Sequence, residues 1–406
     1  MKILHLSDIH LGSSFNHGKI NPETGRNTRL EDFLRCLSIC IDEAIREGVD
    51  LVLFAGDAFP NSTPPPYIQS AFASQFRRLA EAHIPTIFLV GNHNQHSHDG
   101  LGGASLTIYN TLGVPNFIVA EKIATYTIRT KSGPVQVVTL PWLTPKLLLT
   151  KEETGKATMA EIERLFLQKV QVILEAEIRK LQPQLPTILL AHLMAERASL
   201  GAERFLSVGK GFYMPLSLLI RPEFDYVALG HVHKHQNLNP QNNPPVVYSG
   251  SIERVDFSEE NEEKGFVLVH IQGKNQVHWE FRPLPARPFV TIELDLTTSN
   301  SPQQTLLSAI AKKNIRDAVV RVIYRIRPEQ MDSIDTKALH LALSAAHCYT
   351  IKAESVSLLD RTRLPELGTG NTLTPLEALS LYLENRKDLQ DFKEDILAAA
   401  KQLLEK

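Results

Sequence analysis

Residues 2–10, KILHLSDIH, form an apolar run of strand length that stops at Asp8 and carries a histidine two residues further on. A short apolar run without polar alternation reads as a strand buried on both faces. The same pattern returns four times along the chain. DLVLFA (50–55) runs into Gly56-Asp57, TIFLV (86–90) into Gly91-Asn92-His93, TILLA (187–191) into His192, and YVAL (226–229) into Gly230-His231-Val232-His233. VQVVTL (135–140) and PVVYS (245–249) read as further strands. Segments near 31–47, 67–82 and 158–181 repeat apolar residues at three- and four-residue spacing, which predicts helices covering the sheet. Strands alternating with helices give a layered α/β fold.

The carboxyl ends of strands in an α/β sheet open on one crevice, so residues far apart in sequence can meet there. Asp, Asn and His are oxygen and nitrogen ligands suited to manganese, iron or zinc. Asp8 and His10 are two residues apart, as are His231 and His233. If the backbone stays extended, each pair faces one side. Glycine before several of these groups allows close backbone approach. Two ions held together can activate water and neutralise the charge of a phosphate ester. A lone histidine such as His83, His340 or His347 reads as an ordinary core or surface residue.

Composition narrows the classes. The chain has 406 residues, 43% hydrophobic and 22% charged, with a net charge of -2. That argues against disorder, a fibrous repeat and an overall basic coat, so any nucleic-acid contact is local. Asp8 interrupts the first apolar run too early for a signal-peptide core, and later runs fall short of a membrane span, so a cytoplasmic protein is expected. Of three cysteines, Cys36 and Cys40 share one helix face and read as small core residues.

The alternating pattern defines a first unit over residues 1–285. RPLPARP (282–288) breaks it, and a smaller unit is expected over 286–365. There VTIELDL, AVVRVIYRI and YTIKAESV read as strands, with helices over 302–314 and 329–345 between them. The tail, 374–406, has a helical pattern that suits either packing on its own unit or binding a partner.

These blocks resemble the calcineurin-like metallophosphoesterases, and within them the SbcD-type nucleases. The likeness extends to Asn27-Thr28-Arg29, Gly56-Asp57-Ala58-Phe59, Tyr248-Ser249-Gly250-Ser251 and Glu263-Lys264-Gly265-Phe266. It implies a sheet sandwich with helices outside, a small α+β DNA-capping unit and C-terminal helices. It implies that Asp8, His10 and His233 hold one divalent ion, Asn92, His192 and His231 a second, and that Asp57 bridges them. Manganese is the metal implied. His93 would act on the scissile phosphate or protonate the leaving oxygen, as an imidazole near neutrality can. The Asp usual after that histidine is Asn94 here. Asn94 is expected to act on His93 without supplying charge, lowering turnover with metal binding intact, and His96, His98 or Asp99 are candidates to compensate.

The expected activity is exonuclease and endonuclease action on double-strand DNA ends, by a homodimer within a heterotetramer containing an SbcC-type SMC-like ATPase, in the bacterial cytoplasm near the nucleoid. The competing readings are a small-substrate phosphatase or cyclic-nucleotide phosphodiesterase, and a weakly active DNA-end scaffold. Lys19, Arg26, Arg29, Lys210 and Lys234, with His235, are the candidates for phosphate contacts.

Overall fold

In a computed structural model the chain is described over residues 1–95, 104–201, 212–356, 374–384, 389 and 392–404. It divides into two compact units. The first comprises Met1–Glu293, Leu307–Ile323 and Lys337–Lys352; the second comprises Leu294–Leu306, Tyr324–Thr336 and Ala353–Lys406.

The first unit is a sandwich of two mixed sheets. One is built from β1 (Lys2–Leu6), β2 (Leu51–Phe54), β3 (Thr86–Leu89) and β4 (Phe117–Ala120), parallel in that order. The other contains β5 (Ala124–Thr130), β6 (Gly133–Leu140) and β7 (Thr187–His192), with two-residue strands β8 (Met194–Ala195) and β9 (Tyr213–Met214) lying apart from it. It is completed by β10 (Tyr226–Gly230), β11 (Gln236–Asn237) and β12 (Val246–Tyr248), in the order β11-β12-β10-β7-β6-β5. The pairs β6–β7, β7–β10 and β10–β12 are parallel. A hairpin that the apolar pattern did not predict, β13 (Gly265–Gly273) and β14 (Gln276–Pro283), adds antiparallel to β1 and closes the first sheet.

The uninterrupted apolar strands are explained by what covers each face. Ile3, Leu51, Leu53 and Ile87 meet Val137, Ile188, Leu190 and Ala228 between the sheets. On the outer face of the first sheet, Leu4, Val52, Phe54 and Phe88 pack under helices α1 (Thr28–Arg46) and α2 (Pro66–Glu81). Helix Met159–Ile178 buries Phe166, Val170 and Leu174 on the outer face of the second sheet. Each fully buried aliphatic or aromatic side chain contributes roughly 1.5–3 kcal/mol. Local signals set the helix starts. The Asn27 side chain accepts from Arg29 N at 2.9 Å, Pro66 opens α2, and Thr158 and Glu161 form a capping box. Cys36 and Cys40 are free and buried, as their shared helix face requires.

Beyond the sandwich, β15 (Phe289–Asp295), β16 (Val319–Ile326) and β17 (Cys348–Ser355) form a three-stranded sheet in that order. Helix Pro302–Ala311 matches the expected 302–314. The expected helix over 329–345 is instead a 3-10 turn, Pro328–Ser333, followed by a shorter helix, Thr336–Ala342. Ile334 adopts an extended backbone at φ -92° and ψ 108°, which ends one and delays the other. In the tail, Pro375–Glu384 and Lys393–Leu404 are helical. Among the described residues no helix is long and apolar enough to cross a membrane.

Candidate metal centre

The ligand candidates stand where parallel strands of both sheets end. Asp8 and His10 follow β1, Asp57 follows β2, Asn92 and His93 follow β3, His192 closes β7, and His231 and His233 follow β10. The loops after β1 and β2 stay hydrogen-bonded side by side, Asp8 N to Gly56 O at 2.9 Å and His10 N to Asp57 O at 3.1 Å.

The backbone there is not extended, so simple alternation does not set where these side chains point. Asp8, His10, Asp57 and His231 have φ of 51°, 45°, 58° and 99°. Left-handed conformations of this kind cost on the order of 1–3 kcal/mol each for residues other than glycine. Neighbouring bonds hold them, including His231 N to both Asp8 carboxylate oxygens at 3.1 and 3.0 Å. His231 and His233 consequently serve different clusters. Glycine is obligatory for close approach at these strand ends. A Cβ on Gly56, at φ +101°, would strike the His192 ring, and one on Gly91 would strike Asp57.

Three groups with ligand atoms within 4.8 Å of one another result: Asp8, His10 and His233; His10, Asp57 and His93; Asp57, His192 and His231. Asp57 Oδ2 lies 3.3 Å from His192 Nε2 and 3.8 Å from His10 Nε2, so one oxygen faces both halves. Asn92 Oδ1 stands 2.9 Å from His192 Nε2 and 3.0 Å from His231 Nδ1. His10 Nε2 and His233 Nε2 are 3.0 Å apart. Nitrogens this close could both reach one ion at the usual distance of about 2.1 Å. The donor set therefore fits divalent cations at both halves.

The electrostatics favour the cation-binding form at His10, His231 and Asp57. Burial pushes the His10 and His231 imidazoles far below their usual range, helped by His233 and His192 respectively, so both are neutral, the form that binds a cation. Burial pushes the Asp8 carboxyl up against the opposing charges of His192 and His233. Burial alone would also raise Asp57, but His192, His93 and His10 outweigh it and hold it below the carboxylate range. His192 is raised, since Asp57 reverses the lowering by burial.

The groups behind the ligands were not legible in the sequence. His192 Nδ1 bonds the Ala55 carbonyl at 2.6 Å, and His233 Nδ1 bonds Glu259 Oε1 at 2.7 Å. Trp142 packs on His231 with ring centroids 4.7 Å apart. His93 is half-buried, with its amide on Asp57 Oδ1 at 3.0 Å and its Nδ1 on the Pro60 carbonyl at 2.9 Å.

Two expectations are overturned. Asn94 does not bond the His93 ring. Its Oδ1 accepts from Asp57 N at 3.0 Å and Ala58 N at 3.3 Å, and its Nδ2 donates to Ser105 Oγ at 3.2 Å. It braces the loop carrying Asp57, so its lack of charge does not reach His93 through a hydrogen bond. Arg29 is no phosphate contact, being fully buried. Its guanidinium is held by Asp32 at 2.7 Å and by the Arg254 carbonyl at 2.7 Å, beside the rings of Phe33 and Phe289. His235 stacks on Phe281 at 4.1 Å and bonds the Tyr248 carbonyl. Lys19, Arg26 and Lys234 are exposed, whereas Lys210, His96, His98 and Asp99 lie outside the described residues.

Comparison with known proteins agrees with this geometry. The chain is 27% identical over 306 residues to the D subunit of the nuclease SbcCD of Staphylococcus epidermidis, covering 73% of each chain. It is 27% identical over 281 residues to the Escherichia coli protein of the same name, covering 66% of this chain and 64% of that one. It is 26% identical over 284 residues to the uncharacterized metallophosphoesterase YhaO of Bacillus subtilis, covering 70% of this chain and 60% of the relative. The family profile of calcineurin-like phosphoesterases matches residues 1–235, more than half of the 406, and takes in every candidate ligand named above: the chain belongs to the calcineurin-like phosphoesterases.

Proposed function

We propose that this chain is a two-metal-ion DNA nuclease acting on double-strand ends. In this reading Asp8, His10 and His233 hold one ion, Asn92, His192 and His231 hold the other, and Asp57 is shared. The observation that carries it is Asp57 Oδ2, placed 3.3 Å from a histidine of one half and 3.8 Å from a histidine of the other. Manganese fits the oxygen and nitrogen donors.

When bound, such ions lower the pKa of water and neutralise charge on the phosphate. The protein's own part is orientation and proton delivery. The Pro60 carbonyl can only accept, so His93 keeps a proton on Nδ1 and offers Nε2 to the substrate. Nε2 donates to the leaving oxygen when the ring is an imidazolium, and the Asp57 carboxylate bound to the His93 amide holds the ring's backbone in place.

DNA as substrate rests on the likeness to the SbcCD nuclease proteins, with exposed Lys19, Arg26 and Lys234 as phosphate contacts. Residues 1–285 would then form the nuclease unit, 286–365 a DNA-capping unit, and 374–406 a segment binding an SMC-like ATPase, in a cytoplasmic assembly with two copies of this chain. Phe392 and Leu404 are exposed apolar side chains in this tail. The test incubates the purified protein with linear duplex DNA, with and without Mn2+, beside a phosphodiester dye and a His93→Ala control. Mn2+-dependent cutting of DNA is expected. Hydrolysis of the dye but never of DNA, even with the ATPase present, would favour a small-substrate phosphodiesterase.

A further inference from the structure

Lys264 stands in a segment matched by resemblance alone, and the chemistry above gives it no task. The side chain is fully buried. Its ammonium sits 2.8 Å from Glu259 Oε2 and 2.8 Å from Glu262 Oε2, and donates to the His233 carbonyl at 3.2 Å. Glu259 is also fully buried. Its Oε2 accepts a second bond from Val255 N at 3.0 Å, which leaves Oε1 aimed at His233 Nδ1, 2.7 Å away.

A carboxylate and an ammonium this deep are costly unless each satisfies the other and further groups besides. The ammonium is matched by the two carboxylates, and beside the Val255 bond both Glu259 and Lys264 reach one residue, His233: Glu259 its ring nitrogen and Lys264 its backbone carbonyl. An ionised carboxylate can only accept, so Nδ1 must carry the proton and the Nε2 lone pair must face inward, toward His10 Nε2 at 3.0 Å. In the other half His192 is backed instead by the neutral Ala55 carbonyl.

We propose that Glu259, held by Lys264, is a positioning residue that fixes the tautomer and orientation of His233 and thereby sets the affinity of the Asp8–His10–His233 half for its ion. This rests on the two-ion reading. Carboxylates behind a metal-bound histidine typically contribute about 10- to 100-fold in metal affinity.

The test titrates the metal-free full chain with Mn2+ and follows its thermal melt. Glu259→Gln, which keeps an acceptor but loses the charge, is expected to weaken one of two ions about 10-fold; Glu259→Met, which loses the acceptor, about 100-fold. The other ion should keep its affinity in both variants. Nitrogen-15 NMR of the metal-free wild type at about pH 8, above the usual histidine range, should find a proton on Nδ1 of His233. This measurement decides the matter if the variants do not fold. Folded variants that bind both ions as the wild type does, or an Nδ1 without a proton, would overturn the proposal. A wild type that binds fewer than two ions would instead sink the two-ion reading and leave the tautomer result standing.

Discussion

The two halves of the metal centre are built from the same kind of strand end, yet they are charged differently. The first half has the Asp8 carboxylate among its ligands and Glu259 behind His233. The second offers the Asn92 amide and two imidazoles, backed by a peptide carbonyl and the Trp142 ring. Among the described residues Asp57 alone brings a carboxylate to the second half. Affinity for a hard cation rises with the charge of its ligands. On ligand charge the first half is therefore expected to be the tighter site and the second the weaker one.

The largest expected effect separates binding from chemistry. His93→Ala should lower hydrolysis of the phosphodiester dye by about 100- to 10,000-fold, the usual worth of a general acid, while both Mn2+ ions remain bound by titration. Loss of an ion in this variant would make His93 a ligand and redraw the first half. A smaller effect sharpens the second half. Trp142→Phe should weaken only the second ion, by about two- to tenfold, because an aromatic pair contributes about 0.5–1.5 kcal/mol. The chain has two tryptophans, so this variant keeps only Trp279, and the fluorescence change on filling the second half should vanish. A persistent change would place the reporter elsewhere. Smallest of all is Asn94→Asp. The bonds from Asp57 N and Ala58 N can be accepted by a carboxylate, and Ser105 Oγ can donate instead of accept. The dye-hydrolysis rate should stay within about threefold, less than 1 kcal/mol, with the pH–rate profile unmoved. A shifted profile would restore the link between Asn94 and His93.

What could be read from the sequence was set by residue type and position. Strand ends were legible because apolar runs stop at Asp8, Asp57, Asn92, His192 and His231, and in parallel strands those ends share one edge. The left-handed backbone at Asp8, His10, Asp57 and His231 was not, since tertiary bonds impose it. Arg29 at a helix start looks like a surface cation until its partners arrive, one from Asp32 in the same helix and another from Arg254, far along the chain. Glu259 sits in a short 3-10 turn without periodicity, and only the fold brings it to His233. The β13–β14 hairpin was missed for a different reason: β14 is only half-buried and carries charged residues among its apolar ones.

The most direct test of two sites sharing Asp57 is a calorimetric titration of the metal-free protein with Mn2+, run on the wild type, Asp8→Ala and His192→Ala. The wild type should bind two ions in a tighter and a weaker step. Asp8→Ala should lose the tighter step and His192→Ala the weaker one. A single ion in the wild type, or loss of the same step in both variants, would contradict the account.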